Sequence, residues 1–152
     1  MDEKDRGILK ELIADGRVSL KKIARELGLP VTTVFNRVKK MQDTGILRVT
    51  AELDRKKLGY GMDFYVLASV DTSTMGIDQE KLARKLVALP GVLSAAVITG
   101  SRDLLIKATA RDIDELSELV LKHIRGVEGI SSTETLVVMK EFTGRKDKLI
   151  NA

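Results

Sequence analysis

The sequence predicts an α+β protein built in two parts: a cluster of three short helices, then two helices packed on one face of a four-stranded sheet. Three observations predict this fold class. Apolar residues recur at helical spacing in three consecutive segments before residue 45. Beyond residue 61, β-rich runs and two amphipathic helices follow the order β-α-β-β-α-β. The chain has 152 residues, the length of one ordinary domain or two small ones.

The composition excludes several classes of protein. The chain contains no cysteine, so it can form neither a disulfide framework nor a thiolate metal site. No apolar run approaches the roughly 20 residues that a membrane span needs. The charged N-terminal residues lack the apolar stretch of a signal peptide. We therefore predict a soluble, cytoplasmic protein that does not associate with membranes.

The net charge of +4 is distributed unevenly along the chain. Between residues 17 and 48, eight lysines and arginines stand against two acidic residues, which leaves this stretch at +6. A local positive field of this kind attracts polyanions. The alternative is a solvated, lysine-rich surface, and the fold of the segment has to decide between the two.

The first third of the chain predicts three helices. Asp2 or Asp5 caps the first helix, and Ser19 caps the second. The second helix ends at Gly28, because glycine tolerates the left-handed backbone of a helix end. Pro30 suits the first turn of the third helix, where its missing N–H would be unpaired anyway. The residues predicted to face the core of this cluster are Ile8, Leu9, Leu12, Ile13, Leu20, Ile23, Ala24, Leu27, Val34, Val38 and Met41.

Two helices joined by a short turn that contains glycine predict a helix-turn-helix, whose second helix enters the major groove of DNA. The outward residues combine hydroxyls and an amide, which suit base edges, with cations, which suit phosphates. Phe35 lies at the edge of this face. An arginine here can instead brace the helices, and the pair can be plain structural helices. The residues predicted to contact double-stranded DNA are Lys21, Lys22, Thr32, Thr33, Asn36, Arg37, Lys39 and Lys40.

The segments that flank this cluster set the predicted domain boundaries. Residues 46–53 are rich in β-branched side chains and predict a strand in the position of the wing, which gives a winged helix-turn-helix domain over residues 1–53. Residues 54–61 are charged and contain glycine, which predicts a linker or, alternatively, an ordinary surface turn. The polar tail, residues 141–152, is predicted to fray.

Residues 62–140 predict a ferredoxin-like sandwich. Its strands are expected at residues 63–71, 92–99, 104–110 and 130–139, with one helix after the first strand and another after the third. In this arrangement both helices cover the same face of an antiparallel sheet.

The predicted sheet is apolar on both faces, although helices cover only one. Phe64 and Val66 point one way while Tyr65 and Leu67 point the other, and residues 92–98 and 136–139 likewise carry apolar side chains on both sides. An uncovered apolar face of this extent favours self-association. We therefore predict a homodimer, or a larger assembly built from dimers. A dimer also places two DNA-reading helices on one duplex.

The whole chain resembles the Lrp/AsnC family of transcription regulators. The resemblance rests on the order and spacing of several short stretches, namely residues 2–9, 23–29, 34–41, 45–47, 58–59 and 99–105. It implies a transcription regulator with an N-terminal helix-turn-helix and a C-terminal ligand-sensing domain. The resemblance also implies that the protein forms dimers and often octamers or larger discs.

The resemblance further implies an effector, usually an amino acid, that binds near the loop of residues 100–103. Because a free amino acid carries both charges, its site needs donors and acceptors. Arg102 is suited to the carboxylate and Asp103 to the ammonium group. The alternative is a hairpin turn with solvated charges. The residues predicted for effector binding are Gly100, Ser101, Arg102, Asp103, Thr133 and Thr135.

In many family members, an acidic or polar residue and then an aromatic one lie between the glycine and the aspartate of this loop. This chain has Ser101 and Arg102 there instead. The departure bears on the identity of the effector. An effector-independent, architectural DNA-binding protein is therefore an alternative.

The sequence favours DNA binding over two further classes of function. An RNA-binding module of this topology would stack bases on strand aromatics, but residues 104–106 are Leu-Leu-Ile. A relative of the family in haem biosynthesis decarboxylates a tetrapyrrole, which makes an enzyme conceivable. His123 is the only histidine, and its neighbours predict a structural residue rather than a haem ligand or base. We predict a protein without catalytic residues, cofactor or metal.

Overall fold

Two compact units make up the computed structural model, which describes residues 1–71, 78–144 and 146–150, apart from the side chains of Lys146 and Asp147. The first unit contains Met1–Glu52 together with the C-terminal segment from Phe142, and the second contains Leu53–Glu141. None of the helices in the described ranges is both long and apolar enough to cross a membrane.

The three predicted helices of the first unit are confirmed as α1 (Glu3–Ala14), α2 (Leu20–Leu27) and α3 (Val31–Asp43). The Asp2 carboxylate accepts a hydrogen bond from the N–H of Asp5, and the Asp5 carboxylate accepts one from the N–H of Asp2. This capping box satisfies two N–H groups at the start of α1. Ser19 caps α2 with a single bond, in which its Oγ accepts from the N–H of Lys22. Gly28 ends α2 with a φ of 61°.

The core of the first unit is close to the predicted one. Pro30 is the cap of α3 rather than a residue of its first turn. Ile13 is exposed, because it lies in the last turn of α1 at the edge of the apolar stripe. The buried residues of the unit are Ile8, Leu9, Ile23, Ala24, Val34, Met41 and Ile150.

The presence of Ile150 in this core shows that the prediction of a frayed tail is wrong. A short 3-10 helix, Lys146–Ile150, packs against α1. Ile150 is only 6% exposed. A single isoleucine in a polar run has no periodicity that a sequence analysis can detect, so only the three-dimensional contact reveals it.

The predicted strand over residues 46–53 is also wrong. This segment is irregular, and Ile46, Val49 and Leu53 are exposed. Leu47 alone turns back on the helical core, and its N–H donates to the carbonyl of Met41 at 3.0 Å. A strand needs a partner strand, and the described part of the first unit contains none. These β-branched residues therefore have no neighbouring strand to pair with.

The second unit confirms the predicted β-α-β-β-α-β order. The elements are β1 (Met62–Val70), α4 (Gln79–Val87), β2 (Val92–Val97), β3 (Leu104–Ala110), α5 (Ile113–Glu118) and β4 (Ile130–Val137). The sheet has the strand order β2-β3-β1-β4, and every neighbouring pair is antiparallel. The helix α5 continues directly into a π-helical segment, Leu119–Ile124.

The core of this unit lies between one face of the sheet and its two helices. Phe64, Val66, Ala68 and Val70 alternate along β1 and are buried. They pack with residues of α4, β3 and α5, including Leu86. Both helices therefore cover the same face, as predicted. The opposite face, called the open face below, carries the alternate residues of each strand.

Residues 54–61, predicted to be a linker or a surface turn, form a hydrogen-bonded turn within the second unit. The Arg55 guanidinium donates to both carboxylate oxygens of Asp63, from Nη2 at 2.9 Å and from Nε at 3.2 Å. This ion pair is the main reason that the pKa of Asp63 lies below its usual value. The turn is thereby fixed to the start of β1.

Candidate DNA-binding and effector-binding residues

The outer side of α3 presents the side chains that the sequence predicts to contact DNA. Val34 and Met41 are buried on the inner side of this helix. The opposite arc carries hydroxyls and an amide nearer the N-terminal end and two lysines further along. Thr33 is half-buried, and the exposed members of this arc are Thr32, Asn36, Lys39 and Lys40.

Lys21 and Lys22 lie in the first turn of α2, and both side chains are exposed. Lys22 is 3.8 Å from Glu26, a long pair on the surface that leaves its ammonium group accessible to other anions. The first helix of a helix-turn-helix crosses the DNA backbone, where lysines suit phosphates. Together with α3, these residues form a surface that combines hydrogen-bonding side chains with cations.

Arg37, predicted to contact DNA or to brace the helices, forms ion pairs within its own unit. Its Nη1 lies 2.7 Å from a carboxylate oxygen of Asp2 and 2.7 Å from one of Asp5. Asp5, and then Asp2, raise the pKa of Arg37. The N–H of Asp5, and then the Arg37 guanidinium, hold the pKa of Asp2 below its usual value. Arg37 therefore braces α3 against the start of α1, which was the alternative interpretation.

Residues 100–103 form the turn between β2 and β3, and Gly100 adopts a φ of 129° that disfavours any side chain. Asp103 holds this turn in place. Its Oδ2 accepts from the N–H of Val70 at 2.8 Å, and its Oδ1 accepts from Nε2 of Gln79 at 3.3 Å. Both carboxylate oxygens thus have internal donors. Asp103 therefore fixes the turn, and its contact with the ammonium group of an effector stays a prediction.

Arg102 extends from the same turn across the end of the open face. Its Nη1 donates to Oγ of Ser69 at 3.2 Å and to Oγ of Ser132 at 3.0 Å. Its Nη2 is 3.2 Å from Oε2 of Glu134. Ser101, its neighbour in the turn, is exposed. The guanidinium is thus held by a pair of hydroxyls and one carboxylate, all on the open face.

Thr133 and Thr135 lie on the opposite side of β4 from Arg102, so the predicted effector set is divided between two faces. Thr133 pairs with Ala68 and Thr135 with Val66, both of which point towards the helices. Thr133 accepts a hydrogen bond from Nε of Arg125 at 2.7 Å. The sequence analysis missed the residues that bond to Arg102, which are Ser69, Ser132 and Glu134. The alternation of side chains along a strand is the signal that could have placed them on the same face.

The open face has an apolar centre and charged ends. Residues paired across a ladder share a face, which places Tyr65 beside Leu136 and Leu67 beside Leu105. At the end remote from Arg102, Lys107 lies 2.7 Å from Glu141 and stacks over the Tyr65 ring. The bond to Glu141 is the main cause that raises the pKa of Lys107.

The open face is less uniformly apolar than predicted along β2. This strand contributes Ser94 and Ala96 to the open face, because Ala95 and Val97 pair with helix-facing residues of β3. The apolar surface is therefore concentrated on the other three strands. His123 is exposed on the π-helical segment. In the described ranges, no cluster of three or more histidines and carboxylates could hold a metal ion.

The first unit is a cluster of three helices whose outermost helix is exposed and basic, and the second unit packs two helices on an antiparallel sheet. This combination is typical of helix-turn-helix proteins with a separate α+β domain. Two family models match the chain. The winged helix-turn-helix DNA-binding model covers residues 1–48, and the Lrp/AsnC ligand binding domain model covers residues 65–147. The chain belongs to the Lrp/AsnC family of DNA-binding transcriptional regulators, as the sequence analysis predicted.

Individual relatives agree with this assignment. A helix-turn-helix transcriptional regulator of Pyrococcus abyssi is 33% identical over 138 residues, which cover 90% of this chain and 91% of the relative. Another, from Pyrococcus furiosus, is 37% identical over 139 residues and 91% of each chain. The structure of E. coli AsnC matches with a TM-score of 0.86 and 30% identity, over 96% of this chain and 97% of that one.

A transcriptional regulator of Neisseria meningitidis, whose structure was solved in complex with L-methionine, has the same fold. Its TM-score is 0.86 at 24% identity, and the match covers 97% of this chain and 95% of that one.

Proposed function

We propose that this regulator reads specific DNA sequences as a homodimer or larger assembly in the cytoplasm, and that a small effector of the amino-acid class adjusts its DNA binding. The outer side of α3 carries this proposal. Asn36 and Thr33 bring groups that can hydrogen-bond to base edges, while Lys39 and Lys40 bring charges for phosphates. Lys21 and Lys22 extend the positive surface along α2.

Dimerisation is proposed through the open face. A sheet face with Tyr65, Leu67, Leu105 and Leu136 is costly to leave in water. A two-fold axis through this face would cover the same residues on both chains. The separate charge pairs at its ends, Arg102 with Glu134 and Lys107 with Glu141, fit the polar rim of such an interface.

Substitution of Leu136 by glutamate is expected to dissociate the assembly, because it buries a charge in the apolar centre. Leu136 is 45% exposed in the single chain, so its own unit should remain folded. Sedimentation equilibrium of the variant should give a lower mass than that of the wild type. Leu121→Glu is the matched control, since Leu121 is 56% exposed on the helical side. Equal masses for the Leu136 variant and the wild type would contradict the proposed interface.

The effector is proposed to bind beside Arg102 on the open face. The guanidinium suits a carboxylate, and Glu134, 3.2 Å away, suits an ammonium group. An amino acid that pairs with both would exchange one internal ion pair for two intermolecular ones. The methionine bound to the Neisseria relative supports the amino-acid class. Because the pair of Arg102 and Glu134 lies at the rim of the proposed dimer interface, an effector bound there would favour one arrangement of the paired DNA-binding units, which is how it would act.

Replacement of Arg102 by glutamine is expected to abolish the response to the effector and leave basal DNA binding unchanged. A thermal-shift screen of the wild type against the twenty amino acids first identifies the ligand. At roughly 100 times the Kd, a ligand specific to the folded state adds about 2.7 kcal/mol of stability. The corresponding rise in melting temperature should disappear in the Arg102 variant. Arg84→Gln, which removes an exposed cation paired with Glu80, is the control. A normal shift in the Arg102 variant would place the site elsewhere.

A further inference from the structure

One residue of α3 has no place in either its core or its polar surface. Phe35 is 53% exposed, although phenylalanine is among the most apolar side chains in the protein. Val31, four residues earlier and therefore its neighbour on the helix surface, is 42% exposed. The two side chains form an apolar patch on a helix that is otherwise polar on its outer side.

The patch is part of a row along α3. Val31, Phe35 and Lys39 are spaced four residues apart, so they follow one another on the helix surface. Asn36 follows Phe35 on the outward side. The apolar pair thus lies in the half of α3 nearer its N-terminus, and the cation follows one turn later. In a helix-turn-helix, the N-terminal residues of this helix are the ones that contact bases.

Double-stranded DNA offers one apolar group in its major groove, the C5-methyl of thymine. We propose that Phe35, supported by Val31, determines specificity by contacting thymine methyl groups of the operator. This inference rests on the proposed sequence-specific reading of DNA by α3. It extends that reading beyond the hydrogen-bonding residues, since an aromatic ring selects thymine by apolar contact and leaves Asn36 and Thr33 to bond to neighbouring bases.

The test uses the full-length protein and a duplex that the wild type selects from a random pool. Each thymine is replaced in turn by deoxyuridine, which removes the methyl group and keeps the base pairing. Loss of one buried methyl group should weaken wild-type binding about fourfold at the thymine that Phe35 contacts. Phe35→Ala should bind the thymine and uracil duplexes equally. Phe142→Ala, which truncates an exposed phenylalanine outside α3, should keep the wild-type preference.

Several outcomes would overturn the inference. The wild type could select a sequence yet bind every uracil duplex as tightly as the thymine duplex, which leaves sequence reading intact and removes the methyl contact. The Phe35 variant could retain the full thymine preference. If Phe35→Ala changed the mass of the assembly in sedimentation and kept the preference for thymine, the patch would be a contact between protein chains. A wild type that selects no sequence at all would instead refute the proposed function itself.

Discussion

Replacement of Ile150 by aspartate is expected to unfold the N-terminal unit under conditions in which the wild type is folded. Ile150 is 6% exposed and packs with the buried residues of α1, α2 and α3. Truncation of a buried isoleucine alone costs about 2–5 kcal/mol, and a buried, unpaired carboxylate adds to that cost. Domains have only about 0.05–0.15 kcal/mol of stability per residue. A small three-helix unit therefore cannot absorb this loss.

The neighbouring residue supplies the control for this prediction. Leu149 is 84% exposed, so Leu149→Asp adds the same charge to the same segment without entering the core. Thermal unfolding followed by circular dichroism should show an early loss of helix for the Ile150 variant alone, together with a loss of DNA binding. Equal melting curves for the two variants would show that the segment does not support the N-terminal unit.

The contact matters for the architecture because it makes the DNA-binding unit from both ends of the chain. The backbone leaves this unit after Glu52 and returns to it at Phe142. The backbone therefore connects the ligand-binding unit to the DNA-binding unit at two points.

Replacement of Lys39 and Lys40 by alanine is expected to weaken DNA binding roughly tenfold or more at physiological salt, through the loss of counterion release. Both side chains are exposed on the outer side of α3, near the residues proposed to read bases. Each lost phosphate contact should lower the slope of log K against log salt by about one unit. The measurement is a salt titration of binding to the selected duplex and to a scrambled one.

Lys81→Ala with Lys85→Ala, on the exposed side of α4, removes the same net charge from the other unit. This control should leave both the affinity and the slope near the wild-type values. An unchanged slope in the Lys39 and Lys40 variant, or an equal loss in the control, would exclude these lysines from the interface.

Local signals predicted most of the fold. Asp2, Ser19 and Gly28 mark helix ends through hydrogen bonds or backbone angles within a few residues, so their roles can be inferred from sequence alone. The alternation along β1 predicted the helix-facing side of the sheet for the same reason. Elements whose stability depends on neighbours in the chain were therefore predicted correctly, to within one or two residues at their ends.

Contacts between distant segments account for the failures. Residues 46–53 have the composition of a strand and no partner strand in the described part of their unit. Ile150 is buried only because its own segment, more than a hundred residues after α1, returns to pack against that helix. The ion pairs of Arg37 were likewise not visible in the sequence, because the carboxylates that it binds lie at the start of α1. None of these pairings leaves a periodic trace in the sequence.

The candidate effector site shows the same limit on a smaller scale. Arg102 was identified from the turn in which it lies. Its partners depend on which side of β4 each residue occupies, and Thr133 and Thr135 differ by one position from Ser132 and Glu134, which bond to Arg102. A shift of one residue in a strand reverses its face. The register with β1, which is a property of the folded sheet, settles that choice.

We propose, above all, that two helix-turn-helix units of one assembly read a specific DNA sequence together. The most direct measurement is a competition titration of the wild-type protein between the selected duplex and random duplexes, with the number of bound chains determined by sedimentation. We expect at least two chains to bind the selected duplex, with a preference of about a thousandfold or more. A single chain bound to each duplex, with no preference between them, would contradict paired, sequence-specific binding.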